Sequence, residues 1–451
     1  MEEHLEAEIR SIGAELHERL QRSRRRGSRL DEGLMDLAGG DPELRAAVMR
    51  FVDVYPACRG PRDVAVHLVQ HLSAVEDAPG AVRLARALGE TPARDALALP
   101  AAVAVRRMAR RFIVGTSPRD ALGFLREQWE RGVATTIDLL GELTVSRAEG
   151  NGYRQRCIAA IEALSDAGAS WPQRSRLERD SRGPLPRANL SVKISALTPK
   201  LPARSPATAA EEAATALKPI LAAAQERSAH VHVDMEHFDL LEPTRRALLE
   251  LLARPELGAV SSGLVIQAYL RDAERIVAEL IDWARAHPRS TPLTVRLVKG
   301  AYWDHEVALA AQNGWDPPVW AEKEQTDAVF ERLTARLLQA RPLLRVAVGS
   351  HNLRSVAHAI ALNRALGGED RELELQVLHG LGDSLAEALA EVGFRVRAYC
   401  PVGDLVSGMG YLVRRLLENS ANQSFVQLEA EGRPLEELLA PPRRERSAVG
   451  Q

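Results

Sequence analysis

The chain has 451 residues, 45% of them hydrophobic and 27% charged, with a formal net charge of −2. This is the composition of an ordinary globular protein with room for two or three domains, or for one barrel and an added layer. Near-neutral charge gives no bulk electrostatic footprint for nucleic acid, and no run of 18 apolar residues suits a transmembrane helix. The charged start Met1-Glu2-Glu3-His4 is unlike a secretory leader, and Cys58, Cys157 and Cys400 form no CxxC pair. The expectation is a cytoplasmic protein without a cysteine-built metal site.

Residues 1–132 read as helix after helix. Leu5, Ile9, Ile12, Leu16 and Leu20 recur at the spacing of one helical face. The basic run at 22–26 suits a solvated turn better than a phosphate site. Further amphipathic segments follow at 30–56, 63–73, 81–89, 98–112 and 117–131. This part is expected to be an all-helical arm or cap, and it carries no catalytic constellation.

At Val133 the rhythm changes to short apolar strands alternating with amphipathic helices, the pattern of βα units. Strands are expected at 134–140, 190–195, 230–236, 263–269, 294–301, 344–349, 373–379 and 395–399. Helical segments fall between them, and eight such units over roughly 290 residues are the count of a (βα)8 barrel. An open doubly wound sheet is the competing arrangement, but no glycine-rich dinucleotide fingerprint follows the first strand. Domain limits are therefore set at 1–132 for the arm and 133–430 for the α/β barrel. Residues 171–186 are expected to be a long surface loop, and 431–451 a flexible tail.

Active sites of such barrels lie at the C-terminal strand ends. Taken in turn, those ends carry Asp138 and Glu142, Lys193, Asp234 and Glu236, Gln267, then Arg296, Lys299 and Tyr302. Ser350-His351-Asn352, Gln376 with His379, and Tyr399 complete the ring. A strand-end lysine or histidine taken singly is usually a salt-bridge or hydrogen-bond partner. Polar or aromatic groups ending all eight strands point instead to a ligand. The segment Leu293–Trp303 is the clearest case: an apolar run closes on Arg296, Lys299, Gly300, Tyr302 and Trp303, as a strand ending beneath a planar anionic ligand would. Farther on, Arg414 and Arg415 sit in the apolar stripe of a helix beside the mouth. Their guanidinium forks suit a carboxylate or phosphate. No zinc spacing, phosphate loop or GxSxG nucleophile is present. Lys193 or Lys299 leaves a Schiff-base aldolase open, and a non-catalytic anion-binding module is the other alternative.

Nine segments in order resemble the proline dehydrogenase domain of the bacterial proline utilization A flavoenzymes. They begin at Asp138-Leu139-Leu140-Gly141-Glu142, Ser191-Val192-Lys193-Ile194-Ser195, Val233-Asp234-Met235-Glu236 and Gln267-Ala268-Tyr269. They continue through Arg296-Leu297-Val298-Lys299-Gly300-Ala301-Tyr302-Trp303, Ser350-His351-Asn352, Gln376-Val377-Leu378-His379, Tyr399-Cys400-Pro401 and Tyr411-Leu412-Val413-Arg414-Arg415. The resemblance implies non-covalent FAD in the barrel mouth, oxidation of L-proline to Δ1-pyrroline-5-carboxylate, and reoxidation by a membrane quinone. It further implies that Lys193, Arg414 and Arg415 hold the substrate carboxylate, that Tyr399, Tyr302 and Leu297 pack its ring, and that Asp234 shapes the polar side. Glu142 would pair with one of the two arginines and gate the pocket. Arg296 would reach the flavin, and Met235, Gln267, Val298, Lys299, Gly300, Ala301, Tyr302, Trp303, Ser350, His351, Asn352 and Gln376 would line it. The bifunctional members continue into an aldehyde dehydrogenase domain, so a separate aldehyde dehydrogenase is the expected partner here. Some members begin with a DNA-binding ribbon–helix–helix, whose strand residues 1–30 lack, so no nucleic-acid role is expected. With no basic amphipathic anchor, contact with the inner membrane is expected to be transient.

Overall fold

The computed structural model describes residues 2–26, 54–72, 110–141, 144–199, 205–341, 343–404 and 433–442, with a few single positions between them. The segments expected at 81–89 and over most of 98–112, Glu142, and the helix bearing Arg414 and Arg415 lie outside these residues.

Eight parallel strands close into a barrel: β1 (Val133–Leu139), β2 (Asn189–Val192), β3 (His230–Val233), β4 (Ser261–Gln267), β5 (Leu293–Val298), β6 (Leu344–Gly349), β7 (Leu373–Leu378) and β8 (Arg395–Val402). Each pairs with its sequence neighbours, and β8 closes on β1 with Thr136 opposite Tyr399. The sequence builds this by alternation. Leu190 and Val192, Val231 and Val233, Val295 and Leu297, and Val346 and Val348 are fully buried. Each such side chain contributes roughly 1.5–3 kcal/mol when buried. The residues between them include Ser191, His232, Asp234, Arg296, Arg345, Glu374, Arg395 and Arg397, which meet one another across the interior. Barrel interiors are usually layered with Val, Ile and Leu; this one carries charged and polar side chains toward both ends.

Three strands stop three residues short of their expected ends. β2 gives way at Lys193 to a helical turn, Ile194–Leu197. β3 ends at Val233, so Asp234 and Glu236 lie beyond the strand. β5 ends at Val298 because Gly300 takes φ +128°, which turns the chain out of the ladder.

Two expected loops are more ordered than composition suggested. Within 171–186, a helical turn (Ser175–Glu178) leads to a two-residue hairpin pairing Arg179–Asp180 with Gly183–Pro184. Asp180 is buried and accepts hydrogen bonds from Arg345 and Arg395, so the segment plugs the N-terminal end of the barrel. The tail correction is similar. Leu435–Leu438 is helical, Leu438 and Leu439 are buried, and the Leu439 side chain lies against Gly13. Leu439 is apolar and its carbonyl accepts from Arg354, so this piece of the tail docks.

The first arm helix, α1 (Glu2–Arg26), buries Ile9, Ile12, Leu16 and Leu20 against the helices Leu353–Ala365 and Asp383–Val392. Arg354 binds Glu6 through both terminal nitrogens at 2.6 Å and Glu331 through Nε at 2.8 Å. The arm is thereby fixed to the helix that starts beside Ser350-His351-Asn352.

Inside the barrel His230 and His232 face each other, Nε2 to Nδ1, at 3.2 Å. Burial, reinforced by Arg397, lowers the His230 pKa to about 3; burial and Arg296 hold His232 well below 6.5. The folded state therefore resists protons that the unfolded chain accepts below its histidine pKa of about 6.5. Stability present at pH 7 is expected to fall as pH drops through 6.5 toward 3, approaching about 1.4 kcal/mol per pH unit for each of the two. Denaturant titrations at pH 7, 6 and 5 measure the slope. His230→Asn is expected to reduce it by about one proton; an identical slope in that variant contradicts the assignment.

Candidate active site

Five interior side chains converge at the C-terminal end of the barrel, delivered by β1, β2, β3, β5 and β8. Lys193 Nζ donates to Asp138 Oδ1 and lies 3.3 Å from Tyr399 Oη and 3.4 Å from Asp234 Oδ2. Tyr399 Oη donates to Asp234 Oδ2 at 2.6 Å, and Arg296 Nη1 donates to Asp234 Oδ1 at 2.9 Å. Arg296 also reaches Ser191 Oγ at 3.4 Å, with its guanidinium 5.4 Å from the Tyr399 ring centre. Asp234 thus holds a cation and a phenol at once.

The electrostatics fix the protonation states. Burial alone would lower the Lys193 pKa, but Asp138 and Asp234 outweigh it and hold the ammonium above the usual lysine value. Burial, then Asp138 and Asp234, push the Tyr399 phenol well above 10. Lys193 is therefore a permanent cation and Tyr399 a neutral donor. A Schiff base needs a neutral amine, so this environment works against the aldolase alternative. Glu236 lies beside the cluster, accepting from Ser195 Oγ at 2.6 Å and from Ser195 N at 3.2 Å. Burial raises its pKa against those bonds.

The other wall comes from β4, β5, β6 and β7. Gly300 is required twice over: its φ is positive, and an added Cβ would sit 2.5 Å from the Tyr269 ring. Tyr269 N donates to Lys299 O at 2.8 Å, which locks this turn to the end of β4. Gln267 Nε2 donates to the Glu236 carbonyl at 3.1 Å. Asn352 caps the helix Leu353–Ala365 by accepting from Ser355 N at 3.0 Å, and its own N–H reaches Ser350 Oγ. His351 Nε2 accepts from Leu378 N at 2.9 Å. Met235 is buried nearby in sequence, next to Asp234.

Not every expected lining residue points its side chain at the mouth. Lys299 turns outward to Asp327 at 2.5 Å and lies over the Phe330 ring. Leu297, fully buried, faces the surrounding helices on the side opposite Arg296. Gln376 reaches down the barrel to Glu374 at 2.6 Å. Trp303 is 40% exposed and donates to Trp320 O at 2.8 Å; Ala301 is exposed as well. Tyr302 packs edge-on against His237 at 4.4 Å, and Val298 contacts Gly349. Of the expected substrate ligands, Lys193, Tyr399 and Asp234 are together with Arg296. Glu142, Arg414 and Arg415 lie outside the described residues.

The site also includes residues to which no separate role was given from sequence. Ser191 supports Arg296, and Tyr153 Oη accepts from Lys193 N at 3.5 Å. Asp138 was visible as a strand-end carboxylate, but its part as the close partner of Lys193 depends on the β1–β2 register. Tyr153 comes from the following helix, Arg147–Ala169, and nothing local marks it.

The FAD expected from the resemblance can be tested against the described residues. Gln267 Oε1 and Arg296 Nε are both buried with no hydrogen-bond partner. Such groups are rarely left open in a folded protein. One acceptor and one donor at neighbouring strand ends suit the mixed N–H and carbonyl edge of a flavin ring, so the residues present fit that group.

Residues 121–428 match the family model described as proline dehydrogenase, and residues 6–112 match the proline utilization A N-terminal domain. The bifunctional protein PutA of Escherichia coli strain K12 is 33% identical over 352 residues, covering 75% of this chain and 25% of that protein. Proline dehydrogenase 1 of Bacillus subtilis strain 168 is 28% identical over 322 residues, covering 70% of this chain and 89% of that protein. Among solved structures, proline utilization A from Bdellovibrio bacteriovorus inactivated by N-propargylglycine aligns with a TM-score of 0.88 at 31% identity. It covers 99% of this chain and 45% of that one. The chain thus spans a quarter of the length of the bifunctional relative from Escherichia coli.

Proposed function

We propose, because this chain belongs to the proline dehydrogenase family, that it oxidises L-proline to Δ1-pyrroline-5-carboxylate with non-covalent FAD and delivers the electrons to a membrane quinone. The observation that carries this reading is the Asp138–Lys193–Asp234–Tyr399–Arg296 cluster, a fixed cation and a fixed phenol at the mouth of the barrel. Bound beside it, FAD supplies the two-electron acceptor for the ring carbon next to nitrogen.

The protein's own part is positioning. Lys193 is ionised and held in place before substrate arrives, so it meets a carboxylate without reorganisation. Arg414 and Arg415 complete the carboxylate clamp, and Glu142 pairs with one of them as a gate. Both Asp234 oxygens are engaged, which holds Arg296 where it would meet the flavin and Tyr399 where it would pack against the substrate ring. Tyr302 completes the pocket for that ring. Gln267, Met235, the backbone of the Val298–Trp303 turn and Ser350-His351-Asn352 form the cofactor wall. The helix Glu2–Arg26 serves as an arm packed against the barrel. An aldehyde dehydrogenase takes the next oxidation, and contact with the inner membrane is transient. Among the described residues, no helix is long and apolar enough to cross a membrane.

The test is a steady-state assay with L-proline and a quinone analogue, with the cyclic imine product trapped chemically. Product formed in proportion to acceptor reduced supports the reading, and acceptor reduction without imine removes the substrate assignment. In that assay Arg414→Ala and Arg415→Ala are each expected to raise the KM for proline about 10- to 100-fold, the loss of a charge-assisted bond worth about 1.5–3 kcal/mol. Unchanged KM in both variants would remove the arginine clamp.

A further inference from the structure

At the opposite end of the barrel from the active site, the interior leaves a small polar cavity of about 20 Å3, room for one small species. It is bordered by Leu185 and Pro186 at the end of the plug segment and lined chiefly by Asn189, His232, Arg345, Glu374, Arg395 and Arg397. The fixed charges there do not cancel. Arg345, Arg395 and Arg397 are all at least 95% buried. The carboxylates that meet them are Asp180, held by Arg345 at 2.9 and 3.0 Å, and Glu374, held by Arg397 at 2.9 and 3.1 Å. Both histidines are kept neutral by burial. Among the described residues, three guanidiniums against two carboxylates leave one positive charge.

Arg395 is the cation without a carboxylate of its own. Its Nη1 shares Asp180 with Arg345 at 3.2 Å, and its Nη2 reaches only the Glu372 carbonyl, at 3.4 Å. Its Nε lies 3.8 Å from Glu374 and makes no hydrogen bond. Two other lining groups are also open: Asn189 Oδ1 and His232 Nε2 are buried without partners. A half-turn of the Asn189 amide exchanges its oxygen for an NH2 donor. A buried uncompensated charge is costly, and a polar cavity beside it offers the means to neutralise it.

We infer that this cavity binds one small monovalent anion of halide size, with Arg395 Nε as its principal donor and Asn189 as a second. The anion acts as a structural counter-ion between the plug and the barrel. It is separate from the carboxylate-binding end, and it does not depend on which substrate that end takes.

The test uses the full-length, FAD-loaded protein and bromide as the probe. Crystals grown with bromide should show an anomalous peak in the cavity within hydrogen-bond reach of Arg395. In solution, raising bromide a hundredfold at constant ionic strength should increase Tm by roughly 2–4 °C or more, and sulfate, which is too large and doubly charged, should not. Arg395→Met removes the excess charge and should abolish the bromide dependence while leaving the proline KM unchanged. If that variant does not fold, the wild-type crystal and melting data decide. A cavity holding only water, equal Tm in bromide and sulfate, or a bromide peak with no shift in Tm (an adventitious ion only) overturns the inference.

Discussion

Lys193→Met is expected to lower kcat/KM for L-proline by about 10- to 100-fold or more, and to destabilise the protein as well. The catalytic part follows from losing a charge-assisted contact worth about 1.5–3 kcal/mol, at about 1.4 kcal/mol per tenfold. The structural part follows from Asp138, whose side chain is 1% exposed and whose cation is Lys193. Removing one partner of such a buried pair costs about 3–5 kcal/mol. The two effects separate in the double variant Asp138→Asn with Lys193→Met, which leaves Asp234 paired with Arg296 and no carboxylate of the cluster without a cation. It should recover much of the lost Tm and none of the lost proline affinity. Recovery of both would mean that Lys193 only supports the fold.

Gly300→Ala is expected to empty the cofactor site. At φ +128° an L side chain costs on the order of 1–3 kcal/mol in backbone strain alone. Its Cβ would also lie 2.5 Å from Tyr269, whose N–H is tied to Lys299 O. The turn at the end of β5 must therefore move, and with it the wall that includes Lys299, Ala301 and Tyr302. Flavin content per mole of purified protein should fall to a small fraction of wild type, with activity falling in parallel. Normal flavin content and normal kinetics would show that this turn does not touch the cofactor. Circular dichroism distinguishes a local effect from loss of the barrel.

The barrel was legible in the sequence because its outward-facing residues are apolar at every second position, from Leu190 and Val192 through Val346 and Val348. What the sequence left obscure is the inward row. Glu374, Gln376, Arg395, Arg397 and Tyr399 also alternate, but charged alternation reads as a solvated face until closure of the sheet turns that face inward. Asp180 was hidden for a related reason. Its segment is rich in Arg, Ser and Pro, and only the distant partners Arg345 and Arg395 make it a plug. At the mouth, Lys193, Asp234, Arg296 and Tyr399 were all identifiable as strand-end residues. Their mutual bonds were not, since they join β2, β3, β5 and β8 across the lumen. The side-chain directions of Lys299 and Gln376 depend on tertiary partners, Asp327 and Glu374, and no local pattern encodes them.

The visible absorption spectrum of the purified protein, recorded without oxygen before and after L-proline, tests the central claim most directly. The expected result is an oxidised flavin spectrum that bleaches on addition of L-proline and returns with a quinone analogue. A flavin that stays oxidised would contradict the substrate assignment, and a colourless protein that takes up no added FAD would contradict the cofactor site itself.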